Sequence, residues 1–157
     1  MALSGAVADV VRRGDEDTTQ LAAARRAGFY PPDYRLPPCE VDLPLADGDS
    51  FHVGDVRIMA VASPGHCDGH VAYLLDTGDG TALFSGDCIF AGGRVSILAI
   101  PDCRLDHYAR TAQRLAELPV DALLPGHLQL DLVGGHDHLV AAAESFARLV
   151  PPPNILS

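Results

Sequence analysis

The sequence predicts a mixed α/β fold of the α+β kind, in which antiparallel hairpins are flanked by helices. Helical periodicity marks the first and last parts of the chain, while short alternating strands bounded by turn residues fill the middle. The length of 157 residues and the hydrophobic content of 48% suit one domain with a substantial core. These observations divide the chain into a helical start, a strand-rich centre and a helical end.

Residues 1–40 are predicted to be a helical segment followed by a proline-rich connector. Residues 6–13 and 18–27 carry the helical pattern, and Gly28 is placed to end the second helix in a left-handed conformation. The prolines between positions 31 and 38 exclude regular structure there. We therefore expect an extended connector before the strands begin at residue 41.

The strands are predicted to form two hairpins. Residues 51–53 and 56–61 flank Gly54-Asp55, a pair that suits a tight turn. Residues 71–75 and 82–84 flank a second stretch rich in glycine and aspartate. Both hairpins would belong to one antiparallel sheet.

The last third of the chain is predicted to return to helices. A helix over residues 105–118, stopped by Pro119, precedes a short buried strand at 120–124 and a final helix at 136–150. The region from 41 to 150 thus makes up the main body of the fold. A proline triplet then ends order, which leaves residues 151–157 as a tail.

The charge balance excludes some partners. With 21 acidic and 11 basic residues the net charge is −10, which would repel nucleic acid. The N-terminus carries no basic leader, and no uncharged stretch is long enough to cross a bilayer, so we expect no membrane association. Few cysteines, in no disulfide pattern, favour a reducing cytoplasm.

Three short segments place a metal-type side chain directly after glycine. They are Pro64-Gly65-His66, Gly86-Asp87 and Pro125-Gly126-His127. Imidazole and carboxylate together suit Zn²⁺ and similar ions, and loops at strand ends can aim several ligands at one point. Function is therefore expected at these three segments.

With Gly92-Gly93-Arg94 between them, these motifs resemble the metallo-β-lactamase-fold hydrolases, a superfamily that includes hydroxyacylglutathione hydrolases, lactonases and arylsulfatases. The resemblance implies a metal-dependent hydrolase of an ester, thioester or lactone within a small-molecule substrate. It implies that His66 binds one metal, that His127 binds a second, and that Asp87 bridges both and is catalytic. The cofactor would be one or two zinc ions, with iron or manganese as alternatives.

The resemblance is incomplete, because residues 1–50 contain no histidine and so lack the family's His-x-His-x-Asp-His motif. It implies a truncated αββα sandwich, mostly its C-terminal half, with one apolar sheet face exposed and with weak metal binding. The alternative function is a non-catalytic half-domain that forms a homo-oligomer or complements a separate N-terminal half. A recorded start downstream of the natural one is a further alternative.

Several nearby residues have two interpretations. His70, Cys67 and Cys88 are candidate substitute ligands or hydrogen-bond partners of ligands; alternatively, His70 bonds to backbone and the cysteines are core residues. Arg94 is a candidate for binding an anionic group of the substrate, or an exposed loop arginine. The remaining pair, His136 and His138, is expected to be solvated and without a role.

Overall fold

A computed structural model describes residues 2–156, apart from the side chains of residues 2 and 3. The described residues divide into two compact units, with the boundary between Ala46 and Asp47. Within this described part of the chain, no helix is both long and apolar enough to cross a membrane. The mixed α/β class predicted from the sequence is confirmed.

The first unit contains two helices, α1 (Gly5–Arg13) and α2 (Leu21–Arg26), and two short parallel strands, β1 (Ala2–Ser4) and β2 (Leu43–Leu45). The Ser4 hydroxyl caps α1 by accepting the Ala6 N–H at 3.3 Å. This strand pair was not predicted from the sequence pattern.

The second predicted helix begins later than expected, at Leu21 in place of residue 18. The Asp15 carboxylate accepts hydrogen bonds from both the N–H and the hydroxyl of Thr18, each at 3.0 Å, so these groups stabilise a turn. Those hydrogen bonds also hold the pKa of Asp15 below its usual value. Gly28 has the predicted left-handed conformation, with φ of 81°.

The second unit is built on a five-stranded sheet in the order β3-β4-β5-β6-β7. Its strands are β3 (Ser50–Val53), β4 (Val56–Ala62), β5 (Val71–Asp76), β6 (Thr81–Gly86) and β7 (Ala122–Pro125). Neighbouring strands are antiparallel except β6 and β7, which are parallel. Both predicted hairpins are therefore confirmed.

Helices α3 (Leu105–Leu115) and α4 (Gly135–Ala147) complete this unit. Each ends before its predicted end at residue 118 or 150. After α3 the chain forms a turn in which the Leu118 N–H donates to the Leu115 carbonyl at 3.1 Å. After α4, Leu149 has a φ of 59°, which a helix cannot contain.

The prediction that order ends at the proline triplet is wrong. The Val95 N–H donates to the Pro153 carbonyl at 3.0 Å, and the Ile155 N–H donates to the Val95 carbonyl at 2.9 Å. The Asn154 side chain also binds Ile97, accepting its N–H at 3.2 Å and donating to its carbonyl at 2.9 Å. These partners are distant in sequence, so no local sequence pattern could predict the contacts.

Substituting Asn154 tests the contribution of this tail. Asn154→Ala should lower the free energy of unfolding by about 2 kcal/mol, because both polar backbone groups of the half-buried Ile97 lose a partner. Urea denaturation measures the change. Leu156→Ala, at a side chain 65% exposed, is the control and should cost less than about 0.5 kcal/mol. Equal effects of the two variants would contradict the assignment.

Each face of the sheet has a different environment. Residues paired across strands share a face, and on one face Val61, Ala72, Leu83 and Leu123 are buried beneath α3 and α4. We call this the helix-covered face. Its burial provides the main hydrophobic core of the unit.

The other face, here called the second face, is formed by the alternate residues of the same strands. Every one is apolar: Phe51, Val53, Val56, Ile58, Ala60, Ala62, Val71, Tyr73, Leu75, Ala82, Phe84, Ala122 and Leu124. Apart from the buried Ala60, these side chains are partly or fully exposed. The exposed apolar face expected from the sequence is therefore present.

Candidate metal centre

The three ligand candidates lie at one edge of the five-stranded sheet. His66 lies in the loop between β4 and β5, Asp87 directly follows β6, and His127 follows β7. Because β4 and β6 run parallel to β7 and antiparallel to β5, the loop and the two strand ends meet at the same edge. The topology thus brings together residues separated by up to 61 positions, from 66 to 127.

The Asp87 carboxylate lies between the two imidazole rings. Its Oδ2 is 3.8 Å from His66 Nε2, and its Oδ1 is 3.4 Å from His127 Nε2. The side chain of His66 is 16% exposed whereas that of His127 is 66% exposed. The site is consequently closed on the His66 side and open to solvent on the His127 side.

The hydrogen bonding of His66 shows what could occupy the gap. Its Nδ1 lies 3.0 Å from the Ser96 carbonyl, which can only accept, so Nδ1 carries the proton. In the neutral ring the lone pair of Nε2 then faces the Asp87 carboxylate. A lone pair that faces a carboxylate oxygen needs a proton or a cation between the two atoms. The chemical type of these two groups therefore suits a metal ion.

The donor set is nevertheless small. Within the described residues, no three His, Cys, Asp or Glu side chains are arranged as a ready ligand group for a metal ion. His66, Asp87 and His127 match in number and type the three protein ligands of a catalytic zinc site, but as placed they do not form such a group.

His70 has a different position from the other histidines. Its Nδ1 lies 2.7 Å from the Ser63 hydroxyl, and its Nε2 accepts the backbone N–H of Asp87 at 3.2 Å. Burial, followed by the neighbouring His66, lowers the pKa of His70 to about 4, so the ring is neutral at pH 7. With both nitrogens engaged, His70 positions the Asp87 backbone and has no lone pair free for a metal.

Tyr108 is a residue of the site that the sequence motifs did not reveal; it lies within the predicted helix at 105–118. Its hydroxyl lies 2.9 Å from the Ser96 carbonyl and 3.0 Å from the Asp87 carbonyl, and the residue is fully buried. It therefore supports both the acceptor that orients His66 and the backbone of Asp87. A tyrosine on the apolar face of a helix indicates that its buried hydroxyl has a hydrogen-bond partner. The sequence does not show which residue that partner is.

The remaining candidates lie around the centre. Cys88 is fully buried, which raises the pKa of its thiol. Burial also raises the pKa of Cys67, and Asp102 adds to the effect. Both cysteines are thiols at neutral pH, a poor form for metal binding. Arg94 donates to the Asn154 carbonyl at 3.3 Å.

The expectation that His136 and His138 are solvated and without a role is wrong. His138 Nε2 lies 2.8 Å from Asp131 Oδ2, and its Nδ1 accepts the Gly92 N–H at 3.1 Å. His136 Nδ1 lies 3.1 Å from the Leu118 carbonyl. Both rings therefore connect α4 to neighbouring loops.

The family model of the metallo-beta-lactamase superfamily matches residues 4–127. The acyl-coenzyme A thioesterase MBLAC2 of Bos taurus is 31% identical over 138 residues, which are 81% of this chain and 48% of that protein. The hydroxyacylglutathione hydrolase of Rhodobacter capsulatus is 34% identical over 142 residues, 90% of this chain and 49% of that protein. The chain thus spans about half the length of these curated relatives.

Solved structures show the same fold. A metallo-β-lactamase with a HARLDQ motif from Cronobacter sakazakii superposes with a TM-score of 0.64 at 19% identity. The match covers 94% of this chain and 61% of that structure. The sheet and helices described above are therefore the corresponding part of a larger fold.

Proposed function

The chain belongs to the metallo-beta-lactamase superfamily of hydrolases, and we propose that it is a metal-dependent hydrolase of a small-molecule ester, thioester or lactone. The observation that carries the proposal is the placement of the Asp87 carboxylate between His66 Nε2 and His127 Nε2. Among the three substrate classes we favour the thioester, because one relative is an acyl-coenzyme A thioesterase.

His66, Asp87 and His127 would hold the ion, which is zinc or, by the same donor chemistry, iron or manganese. The chemistry that such an ion supplies is a hydroxide nucleophile near neutral pH and a polarised substrate carbonyl. The Ser96 carbonyl keeps the proton on His66 Nδ1, so that Nε2 offers its lone pair. The proposal assigns no ligand to Cys67 or Cys88, because burial raises the pKa of both thiols.

Two neighbouring residues hold the backbone of Asp87 in place. His70 accepts the N–H of Asp87 and Tyr108 donates to its carbonyl, so the backbone that carries the carboxylate is held in place. Asp87 Oδ1 faces His127 Nε2 at 3.4 Å, so these two atoms lie near enough to approach the same ion. Because His127 is the most exposed of the three side chains, substrate would approach from its side.

Metal titration tests the proposal. Chelator-stripped protein should bind Zn²⁺ saturably by calorimetry, and Asp87→Ala should weaken binding by more than about tenfold, because the central donor is lost. The same variant should abolish hydrolysis of an acyl-coenzyme A by the zinc-loaded protein. Asp55→Ala, in the exposed turn between β3 and β4, is the control and should leave both unchanged. Absence of saturable binding by the unsubstituted chain would refute the proposal.

A non-catalytic half-domain is the second candidate. It is favoured by the small donor set of the described residues. In this case a separate N-terminal half would supply the remaining metal ligands. Both chains would then lie in the cytoplasm. Hydrolysis by the zinc-loaded chain on its own would exclude this candidate.

A further inference from the structure

Leu128, which directly follows His127, has an unusual backbone conformation. Its φ is 66°, in the left-handed region that residues with a side chain enter only at an energetic cost. Ten of the described glycines have a positive φ, so glycine is the residue that this fold normally uses where a turn requires that conformation. A leucine at this position therefore needs a reason beyond the turn itself.

The turn that contains Leu128 is fixed by backbone hydrogen bonds. Leu123 and Asp131 exchange two of them, of 2.8 and 3.0 Å, so the chain reverses its direction over the residues between these two. The Gly126 N–H also donates to the Gly86 carbonyl at 2.8 Å, directly before Asp87. The left-handed residue is thus held beside the candidate metal centre by contacts that do not involve its side chain.

Two other described residues with a side chain have a positive φ, and both adjoin a helix. Gln20 directly precedes α2. Leu149 lies after α4, where its N–H donates to the Phe146 carbonyl at 2.9 Å, and a left-handed residue commonly closes a helix in this way. Leu128 lies in a loop beside the ligand candidates, and strained residues of this kind are concentrated at functional sites. The position of Leu128 therefore indicates a role in the site.

The chemistry of the Leu128 side chain indicates what it would contact. The side chain is purely apolar and 62% exposed, and it follows His127, the ligand candidate on the open side of the centre. Such a side chain gains free energy when an apolar group covers it. In a thioester the acyl chain is bonded to the carbonyl carbon that hydrolysis attacks, so its first carbons lie within a few bonds of the reacting atom. An apolar acyl chain is therefore the part of the substrate that suits this position.

We propose that Leu128 is a specificity-determining residue, which contacts the acyl chain of the substrate and selects thioesters with an alkyl acyl group. The inference rests on the proposed function, because it names the acyl group of the thioester that the centre would hydrolyse. The left-handed turn presents an apolar side chain at a position where glycine would leave none. A polar acyl group would lose hydration at this leucine without gaining a hydrogen bond, so it binds less well.

Calorimetric titration with octanoyl-coenzyme A and acetyl-coenzyme A, in the presence of a chelator, tests the contact without metal-dependent hydrolysis. The unsubstituted chain should bind the octanoyl thioester about tenfold more tightly than the acetyl thioester. Leu128→Gly should remove this preference, because the apolar contact is lost. The same variant should raise the equilibrium constant for folding, measured by urea denaturation, by about threefold, because the backbone strain is relieved. A gain of stability together with a loss of preference would distinguish a residue that acts on the substrate from one that supports the fold.

Leu149→Gly is the matched control, since it changes the same residue type in the same left-handed conformation, after α4 and outside the loops of the centre. It should gain similar stability and keep the preference for the octanoyl thioester. Leu128→Asn separates the apolar contact from the flexibility of glycine, because asparagine tolerates the left-handed region, and it should lose the preference as well.

Three results would overturn the role of Leu128. They are no preference in the unsubstituted chain, a preference that survives in both Leu128 variants, and a loss of stability in Leu128→Gly. The titration needs no metal, so it is independent of the zinc titration of the proposed function. A chain that shows the expected preference but binds no zinc would count against the proposed hydrolysis alone.

Discussion

Replacement of Gly65 by alanine is expected to lower the free energy of unfolding by roughly 3–5 kcal/mol. Gly65 has a φ of 150°, which side-chain-bearing residues rarely adopt. An added Cβ would lie 2.6 Å from Cγ of Tyr108 and 2.9 Å from its Cα. Because Tyr108 is fully buried and its Cα belongs to α3, neither atom can move away without disturbing the core.

Gly92→Ala separates the two causes of this loss. Gly92 also has a positive φ, 73°, but an added Cβ would have no atom within 4 Å. Urea denaturation should therefore show a loss of about 1 kcal/mol for Gly92→Ala, which is backbone strain alone. Since His66 follows Gly65 directly, Gly65→Ala should also weaken zinc binding more than Gly92→Ala does. Similar losses of stability in both variants would refute the steric contribution.

The sheet could be predicted from the sequence because its signals are local. Gly54 joins β3 and β4 with a φ of 59°, as expected for a tight hairpin turn. The pair of strands β1 and β2 could not be predicted in this way. Ala2 pairs with Leu43, and strands of three residues carry too little periodicity to reveal a partner 41 positions away.

The sequence could predict which residues are candidates for the site, but not which of their atoms make contacts. The position of a histidine or aspartate after glycine at a strand end is visible in the sequence, and the structure places His66, Asp87 and His127 together. Sequence cannot show which ring nitrogen is engaged. His70 resembles a ligand by its spacing from His66, yet Ser63 and the Asp87 N–H occupy both of its nitrogens.

His70 should make the stability of the metal-free protein depend on pH between about 4 and 6.5. Burial lowers the pKa of His70 from 6.5 to about 4 in the folded state. Between these values the unfolded chain binds a proton that the folded chain does not. The contribution of neutral His70 to the free energy of unfolding is therefore fully present above pH 6.5 and is lost as the pH falls to about 4. This contribution amounts to about 3 kcal/mol.

The groups that face His70 agree with this sign. His66, when charged, opposes protonation of His70, whereas Asp87 favours it, and the lowered pKa shows that burial and His66 prevail. His70→Gln keeps an acceptor for the Asp87 N–H and a donor for the Ser63 hydroxyl, but it does not titrate. Urea denaturation in chelator at pH 7 and pH 4.5 should thus show a smaller acid-induced loss for His70→Gln, by about 2–3 kcal/mol. Carboxylates outside this contact, such as Asp15, titrate equally in both proteins, so the difference isolates His70. Equal losses would mean that His70 is protonated in the folded protein, and that its Nε2 no longer accepts from Asp87.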